Sequence, residues 1–384
     1  MQNALKRLLN QRVSTIGLEI GTSMIKVVEL RPGSPPALVR SVSAPTPPGS
    51  VKEGALVEPQ LVAQEISNLL TAQHIKARFV VTALPNQSAI TRNISVPRVD
   101  RKDLDGAVRW EAERYIPYPI DEVVLDYDLL DEPAGLPQDS PIEIVIAAAP
   151  QEVIARQVEA IRLAGLEPLI IDLKPFAALR AVYAAQKSPE PHLTSESDVA
   201  VILEIGASGT SITLVRGQRV LMTRNITVSA DDFTVAIQRG YNLSFAEAEE
   251  VKTRYATVSS QTESEEDLLN FDADRERYAT ARLYELTRPV LSDLINEVRR
   301  SLEFYRVQSG EVILSRMLIT GGGAKLRGLP GALSDALGMK VELAHPLSAL
   351  SVDPNHPDTE LANQLGEALA VPIGLALRGM DRLD

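Results

Sequence analysis

The chain has 384 residues, 45% of them hydrophobic, which is enough to bury two or three separate cores. Its 39 basic and 51 acidic residues give a net charge of −12, which argues against a nucleic-acid backbone as the default partner. The absence of cysteine excludes disulfides and the usual zinc sites, and the four histidines show no ligand spacing. No apolar run approaches the roughly 18–20 residues that span a bilayer, so a cytoplasmic location is expected.

The first twelve residues form a candidate basic amphipathic helix. Leucines at helical spacing are surrounded by basic residues (Leu5, Leu8 and Leu9 with Lys6, Arg7 and Arg12). Such a helix can lie on an anionic membrane surface. It can equally pack on the protein's own body or on a partner, because a helix of about ten residues is marginal alone. Both alternatives stay open.

Apolar periodicity and Pro or Gly boundaries predict the elements of the first half. They indicate a strand at 24–30, a loop or irregular edge across the six prolines of 31–49, a helix at 59–73, a strand at 76–83, a helix at 100–115, a strand at 142–148, a helix at 151–164 capped by Gly165, a strand at 169–172 and a helix from Pro175. The order strand, helix, strand, strand, helix, strand between about 84 and 170 predicts a compact α+β insert. A polar linker follows at 186–198.

The second half repeats this logic. Strands at 199–204, 211–215 and 219–224 form a meander, and they are followed by a helix capped at Ser229, a helix at 245–255, a solvated acidic loop at 259–267, a long helix at 282–308 broken in register near Pro289, a strand at 317–320, a helix from Leu329 and a strand at 340–343. A last helix at 360–378 tolerates Pro372 only with a kink or a restart.

The tetrapeptide Leu-Glu-Ile-Gly occurs twice, at 18–21 and 203–206, each time with a Ser two positions after the Gly and then a strand-like run. A carboxylate at a strand end, a Gly turn with hydroxyls and a second strand are typical of a loop that binds phosphate and metal, because glycine lets backbone N–H groups approach an anion. Two such loops predict a duplicated fold that closes on one nucleotide. The alternative is two ordinary β-hairpins that share a Gly turn.

A Gly-Gly-Gly run at 321–323 lies between an apolar strand and a helix. Such a turn brings bare backbone against a flat ligand such as adenosine, although alone it can also be a flexible turn. In this order, the three motifs resemble the phosphate-1, phosphate-2 and adenosine motifs of the actin-like ATPase superfamily, which includes actin, chaperone ATPases, sugar kinases and FtsA. The resemblance implies an α/β actin-like fold, with duplicated RNase H-like lobes around a nucleotide cleft and an α+β insert of the 1C type.

The insert and several local runs resemble the PilM family, the actin-like components of type IV pilus machines. Runs at 17–23, 107–117, 172–177, 299–305 and 321–323 look like PilM, whereas the tail at 374–384 is too short and mixed for the C-terminal membrane helix of FtsA. The resemblance covers essentially the whole chain. It implies subdomain 1A over 1–83, 171–198 and 353–384, 1C over 84–170, 2A over 199–220 and 305–352, and 2B over 221–304.

The resemblance also implies a nucleotide site with ATP or ADP and Mg²⁺. The phosphate and magnesium side would comprise Glu19, Gly21, Thr22, Ser23, Lys26, Glu204, Gly206, Ser208 and Thr210, and the adenosine side Glu249, Lys252, Gly321, Gly322, Gly323 and Lys325. Glu19 and Glu204 would hold Mg²⁺ through water. Simpler interpretations stay open: Lys26 as a solvent-facing strand lysine, and Glu249 with Lys252 as a surface ion pair.

One departure from the superfamily pattern bears on catalysis. The superfamily usually has Asp at both loop carboxylates, whereas this chain has Glu19 and Glu204. Catalysis is sensitive to misplaced groups, while water-mediated metal binding can adapt. Nucleotide binding with slow hydrolysis is therefore expected, and no catalytic residue can be named after Pro175, where the family would place a water-orienting group.

By resemblance, the chain is expected to dock the cytoplasmic N-terminal peptide of a PilN-type inner-membrane protein in a groove between 1A and 1C. The helix at 103–115 and its exit at Pro117 and Pro119 would form walls of this groove. The protein would be recruited to the inner face of the inner membrane, where its partners would include other pilus platform and motor components. It would serve pilus assembly, twitching motility or natural transformation. Whether it forms a homodimer is left open. The alternatives are an FtsA-like cell-division protein, a filament-forming ATPase, and a small-molecule kinase, for which no general base in a sugar pocket can be named.

Overall fold

The computed structural model describes residues 15–52, 54–130, 140–185, 198–258, 278–310 and 313–381. The predicted amphipathic segment at 1–12, most of the linker at 186–198 and the acidic loop at 259–267 lie outside these ranges. Within the described part of the chain, no helix is both long and apolar enough to cross a bilayer.

The described elements alternate between strands and helices. The strands are β1 (Thr15–Ile20), β2 (Met24–Arg31), β3 (Ala37–Pro45), β4 (Val51–Lys52), β5 (Ala55–Leu56), β6 (Phe79–Leu84), β7 (Ile90–Val96), β8 (Val123–Leu129), β9 (Ile142–Pro150), β10 (Glu167–Leu173), β11 (Val199–Ile205), β12 (Thr210–Arg216), β13 (Arg219–Ile226), β14 (Leu314–Thr320) and β15 (Lys340–Leu343). The helices are α1 (Pro59–Ala72), α2 (Leu104–Ala112), α3 (Gln151–Leu163), α4 (Lys174–Ala185), α5 (Ala230–Tyr241), α6 (Phe245–Tyr255), α7 (Thr280–Ser309), α8 (Leu329–Leu337), α9 (Asp358–Leu365) and α10 (Ala370–Asp381).

Two five-stranded sheets with the same topology form two lobes. In the first lobe the order is β10-β6-β1-β2-β3, and in the second β13-β12-β11-β14-β15. The first three strands of each lobe pair antiparallel, and the two later strands add in parallel beside the first. The central strand β1 is buried along its whole length because helices cover both faces of the sheet. The duplication predicted from the Leu-Glu-Ile-Gly repeat is therefore present in the topology.

A third sheet forms the insert. Its order is β7-β9-β8, all antiparallel, and α2 packs its apolar face on this sheet through Leu104, Val108 and Ala112. The insert's own layer spans about 90–150. Helix α3 instead packs on α1 in the first-lobe core, and β10 joins the first-lobe sheet, so the range 84–170 is wider than this layer.

Elements of the second lobe also cross the boundaries of the ranges predicted for subdomains 2A and 2B. Strand β13 belongs to the main sheet, although it falls mostly within the range predicted for 2B. The C-terminal half of α7 packs on that sheet through Leu291, Leu294 and Val298. A smaller cluster joins α5, α6 and the start of α7, with Ile237 and Leu283 at its centre.

Three element predictions need correction or refinement. The Pro-rich range 31–49, predicted as a loop or irregular edge, contains the edge strand β3, whose pairing with β2 shifts register between Glu29 and Leu30; prolines bound this strand rather than interrupt its ladder. Helix α7 passes through Pro289 as one element. The last helix does restart, but the interruption is a 3₁₀ turn at Gly366–Leu369, which leaves Pro372 in the first turn of α10, where proline is tolerated.

Candidate functional site

The two Gly loops have the same geometry and face each other across the cleft between the lobes. In the loop after β1, the Gly21 N–H donates to the Met24 carbonyl at 3.0 Å, and in the loop after β11 the Gly206 N–H donates to the Gly209 carbonyl at 2.9 Å. The hydroxyls of Thr22 and Ser208, one from each loop, lie 2.7 Å apart. Residues 186 positions apart in the chain thus meet at one point, as a pair of loops around one ligand requires.

A cavity of about 510 Å³ opens between these loops. This volume lies within the range of roughly 300–1,000 Å³ that small-molecule sites occupy. All of the predicted site residues line it: Glu19, Gly21, Thr22, Ser23, Lys26, Glu204, Gly206, Ser208, Thr210, Glu249, Lys252, Gly321, Gly322, Gly323 and Lys325. The hydroxyl of Thr210 donates to the Val228 carbonyl at 2.7 Å, so this residue supports the loop through its side chain.

Glu19 is a buried carboxylate held by two lysines. Lys26, its cross-strand partner on β2, places Nζ 3.0 Å from Oε2, and Lys174, at the start of α4, places Nζ 3.1 Å from Oε1. Burial alone would raise the pKa of Glu19, but the two ammonium groups outweigh it and lower the pKa to about 2. Lys26 is therefore not a solvent-facing lysine, and its side chain is only 13% exposed.

Glu204 occupies the equivalent position in the second lobe but has a different partner. Its cross-strand neighbour is Ser211, whose hydroxyl donates to Glu204 Oε2 at 3.2 Å. Burial raises the pKa of Glu204, opposed mainly by the charge of Lys174, while the charge of Glu19 raises it further. The two loop carboxylates are thus chemically distinct, because lysine faces one and serine faces the other.

Glu249 and Lys252 on α6 are part of a hydrogen-bonded cluster at the second-lobe wall. Lys252 Nζ lies 2.7 Å from Glu249 Oε2, and it donates to the Ala230 carbonyl at 3.1 Å and to Thr234 Oγ1 at 2.9 Å. Thr234 also donates to Glu249 at 2.5 Å. The Lys252 side chain is 11% exposed, so the pair is more than a surface ion pair.

The three glycines after β14 have different roles. Gly321 has φ +87°, and a Cβ there would lie 2.4 Å from the Ile205 carbonyl oxygen. A Cβ on Gly323 would lie 2.3 Å from Ile205 Cγ2, whereas a Cβ on Gly322 would meet open space. Gly321 and Gly323 thus let β14 close against the phosphate loop, and Gly322 presents bare backbone to the cavity.

The segment before α10 supports this glycine turn from the first lobe. The Glu367 carbonyl accepts hydrogen bonds from the Gly321 N–H at 3.2 Å and from the Thr320 hydroxyl at 2.7 Å. Lys325 Nζ donates to the Gln364 carbonyl, and burial lowers the pKa of Lys325. The turn is therefore fixed by contacts that cross between the lobes.

Four charged residues that line the cavity were missed by sequence reasoning: Lys174, Asp231, Arg327 and Glu367. Lys174 lies in the run 172–177 that carried the family resemblance. It is 155 residues from Glu19 in the chain, so the sequence does not indicate that the two side chains are in contact. Asp231 lies in the first turn of α5, where its sequence pattern indicates a helix cap. Burial raises the pKa of Asp231 to about 6, offset in part by Lys252.

The predicted magnesium ligands fit only in part. Among the described residues, no group of three or more His, Cys, Asp or Glu side chains could hold a metal ion. Mg²⁺ bound with a nucleotide needs one or two carboxylates in addition to phosphate and water. Glu204 suits such a contact through water, whereas both oxygens of Glu19 are engaged by ammonium groups.

Known protein families and structures are similar to this chain in sequence and in fold. A family model for the type IV pilus assembly protein PilM matches residues 17–270, and a model for the cell division protein FtsA matches residues 201–366. A chain of the PilM–PilN type IV pilus biogenesis complex is 42% identical, with a TM-score of 0.81 over 96% of this chain and 99% of its own length.

More distant structures share the fold alone. The ethanolamine utilization protein EutJ from Carboxydothermus hydrogenoformans is 16% identical with a TM-score of 0.54, over 98% of both chains. MreB5 of Spiroplasma citri, solved with ADP, is 11% identical with a TM-score of 0.51, over 97% of this chain and 98% of its own. The predicted actin-like fold is confirmed by these similarities.

Proposed function

Because the chain belongs to the family of the type IV pilus assembly protein PilM, we propose that it is a nucleotide-binding scaffold of the pilus platform. It binds ATP or ADP between its lobes and docks the cytoplasmic N-terminal peptide of a PilN-type inner-membrane protein. This docking recruits it to the inner face of the inner membrane, where it supports pilus assembly. The FtsA-like alternative is less favoured, because the FtsA model matches only residues 201–366.

The observation that carries nucleotide binding is the convergence of all the predicted motif residues on one cavity. The residues come from both lobes, and the hydroxyls of Thr22 and Ser208 and the bare backbone of Gly322 lie at this cavity. The ammonium groups of Lys26 and Lys174 supply the positive charge that a polyphosphate requires. Mg²⁺, where it accompanies the phosphates, would contact Glu204 through water.

We expect hydrolysis to be slow. The helix that follows β10 begins with Lys174, and this ammonium group lies at the buried carboxylate of the first loop. A lysine paired in this way cannot accept a proton from an attacking water. The chain is accordingly at most a slow ATPase, and its role is to hold nucleotide in an assembly.

The insert presents aromatic side chains that suit a docking surface. Trp110 is 60% exposed, Tyr118 48% and Tyr115 44%, all on α2 or its proline-bounded exit. The Arg114 guanidinium lies 4.6 Å from the Trp110 ring centre. Exposed aromatic and arginine side chains close together are typical of binding hot spots. This supports docking of an extended apolar peptide at the helix and exit predicted to wall the groove.

Calorimetry with ATP tests the nucleotide site. Gly322→Val adds a side chain in open space inside the cavity, so we expect it to block ATP without disturbing the fold. Gly331→Val is a matched control, because Gly331 also has open space but lies on α8 outside the cavity. If wild type and Gly322→Val bind ATP alike, the site assignment is wrong.

A synthetic PilN N-terminal peptide tests the docking surface. Trp110→Ala and Tyr118→Ala should each weaken binding by more than about 1 kcal/mol, as truncated hot spots do. Phe304→Ala is the control, because Phe304 is 52% exposed but lies on the second lobe. Equal peptide affinity of all variants would place the docking site elsewhere. Deletion of the gene should remove surface pili, with twitching and DNA uptake as cellular readouts.

A further inference from the structure

We infer that Lys174 takes the place of a divalent cation at the phosphate end of the cleft, so that the protein holds its nucleotide with little dependence on Mg²⁺. The inference rests on the proposed nucleotide binding and concerns how the charge of the phosphates is balanced. Actin-like sites are expected to place Mg²⁺ between the two loop carboxylates, here Glu19 and Glu204. The structure places the Lys174 ammonium group against Glu19, in the cavity that Glu204 also lines.

Lys174 is close to both carboxylates. Its Nζ lies 3.1 Å from Glu19 Oε1, and it lines the same cavity as Glu204 of the opposite lobe. Because Lys26 contacts the second oxygen of Glu19, each oxygen of that carboxylate already accepts a hydrogen bond from an ammonium group. Exchange of these lysines for a hydrated ion would break a buried ion pair whose side chains are 13% or less exposed.

The backbone that carries Lys174 is rigidly held. Asp172, two residues earlier, accepts hydrogen bonds from the Leu173 N–H at 2.8 Å and from Arg180 at 2.9 Å. Arg180 also donates to the Gly374 carbonyl at 3.0 Å. Helices α4 and α10 pack so closely that a Cβ on Gly374 would lie 1.8 Å from the Ala177 carbonyl oxygen. The ammonium group is therefore held near the cleft, because the backbone from which the Lys174 side chain extends is packed in place.

The charge and donors of lysine suit this role. An ammonium group is a compact point charge with three donors, of which Glu19 uses one. The remaining donors can serve phosphate oxygens in the cavity that Lys174 lines. With Lys26, the site carries two positive charges that balance the two loop carboxylates, Glu19 and Glu204, before any ligand enters. A polyphosphate therefore meets carboxylates that are already offset by ammonium groups of the chain, without help from a metal.

Calorimetric titration of ATP into the nucleotide-free full-length protein, in excess MgCl₂ and in excess EDTA, tests this inference. Wild-type affinity should fall less than about tenfold in EDTA. Lys174→Gln should lose about 10- to 100-fold in EDTA, as expected for the loss of a charged hydrogen bond to phosphate, and should recover most of it in MgCl₂. The surface variant Lys340→Gln, whose side chain is 69% exposed, should follow wild type.

The outcomes separate this inference from the proposed function. Wild-type protein that binds ATP in MgCl₂ but not in EDTA would overturn the inference while leaving nucleotide binding intact, and this measurement needs no variant. The inference is also overturned if Lys174→Gln has the wild-type ratio of affinities in the two buffers, provided that its thermal unfolding shows it folded. Absence of ATP binding in both buffers would instead contradict the nucleotide site itself.

Discussion

Replacement of Glu19 by glutamine should destabilise the protein strongly and in a pH-dependent way. The substitution keeps the shape of the side chain but removes the charge that pairs with Lys26 and Lys174. A pKa of about 2, against an ordinary value of 4.5, corresponds to about 3 kcal/mol of preference for the ionised form in the folded state. We therefore expect Glu19→Gln to lose about 3 kcal/mol of unfolding free energy at neutral pH.

The pH dependence has a definite sign. Because the folded-state pKa of Glu19 lies below the unfolded value, its contribution is fully present above about 4.5 and is lost as the pH falls through about 2. The stability difference between wild type and Glu19→Gln should therefore be largest at neutral pH and shrink in acid. Urea denaturation of both proteins across this pH range measures the difference directly.

A matched substitution controls for general effects of charge removal. Glu113→Gln changes an exposed glutamate of the insert and should stay within about 0.5 kcal/mol of wild type. A difference below about 1 kcal/mol for Glu19→Gln at neutral pH, or one that does not change between neutral pH and acid, would refute the electrostatic account of this site.

Three further predictions concern other parts of the cavity. Asp231→Asn should gain stability relative to wild type as the pH rises from 3.8 through about 6, because the raised pKa of Asp231 makes its ionisation unfavourable in the fold. The ATP affinity of wild type, measured by calorimetry, should weaken over the same pH range, and an affinity that does not change with pH would contradict this. Glu204→Asp should keep ATP binding and raise turnover in a phosphate-release assay, whereas wild-type turnover near the enzyme median of roughly 10 per second would refute the scaffold interpretation. Gly321→Ala should cost at least about 1 kcal/mol in urea denaturation, because φ is +87° and the new Cβ would strike the Ile205 carbonyl; an unchanged midpoint would show that the turn can relax.

Local sequence patterns do not predict two features of the structure, the exposed aromatic patch of the insert and the conformation of the last helix. Helical spacing alone would place Tyr115 on the same face as Leu104 and Val108, but Tyr115 is 44% exposed. The structure ends the helix at Ala112, so Leu104, Val108 and Ala112 pack on the insert sheet and Tyr115 lies beyond this face. Likewise, the position of the 3₁₀ turn at Gly366–Leu369 follows from its carbonyl contacts with the glycine turn of the other lobe.

The sequence by itself determined the features that depend on neighbours in the chain. Periodicity located helix α6 at its observed bounds, a Ser–Asp capping box starts α5 as predicted, and the Leu-Glu-Ile-Gly repeat placed both Gly turns at strand ends. These features follow from local backbone preferences, which a few residues encode. The cavity lining was instead anticipated from the resemblance of these motifs to a known family.

The tertiary structure alone decided how the two loop carboxylates differ. Both occur in the same tetrapeptide, and the sequence treated them as equivalent metal ligands. The ladder sets Lys26 opposite Glu19 but Ser211 opposite Glu204, and the fold then brings Lys174 to Glu19 across 155 residues. The charge state of a buried carboxylate depends on burial and on charges within a few ångströms, whatever their separation in the chain.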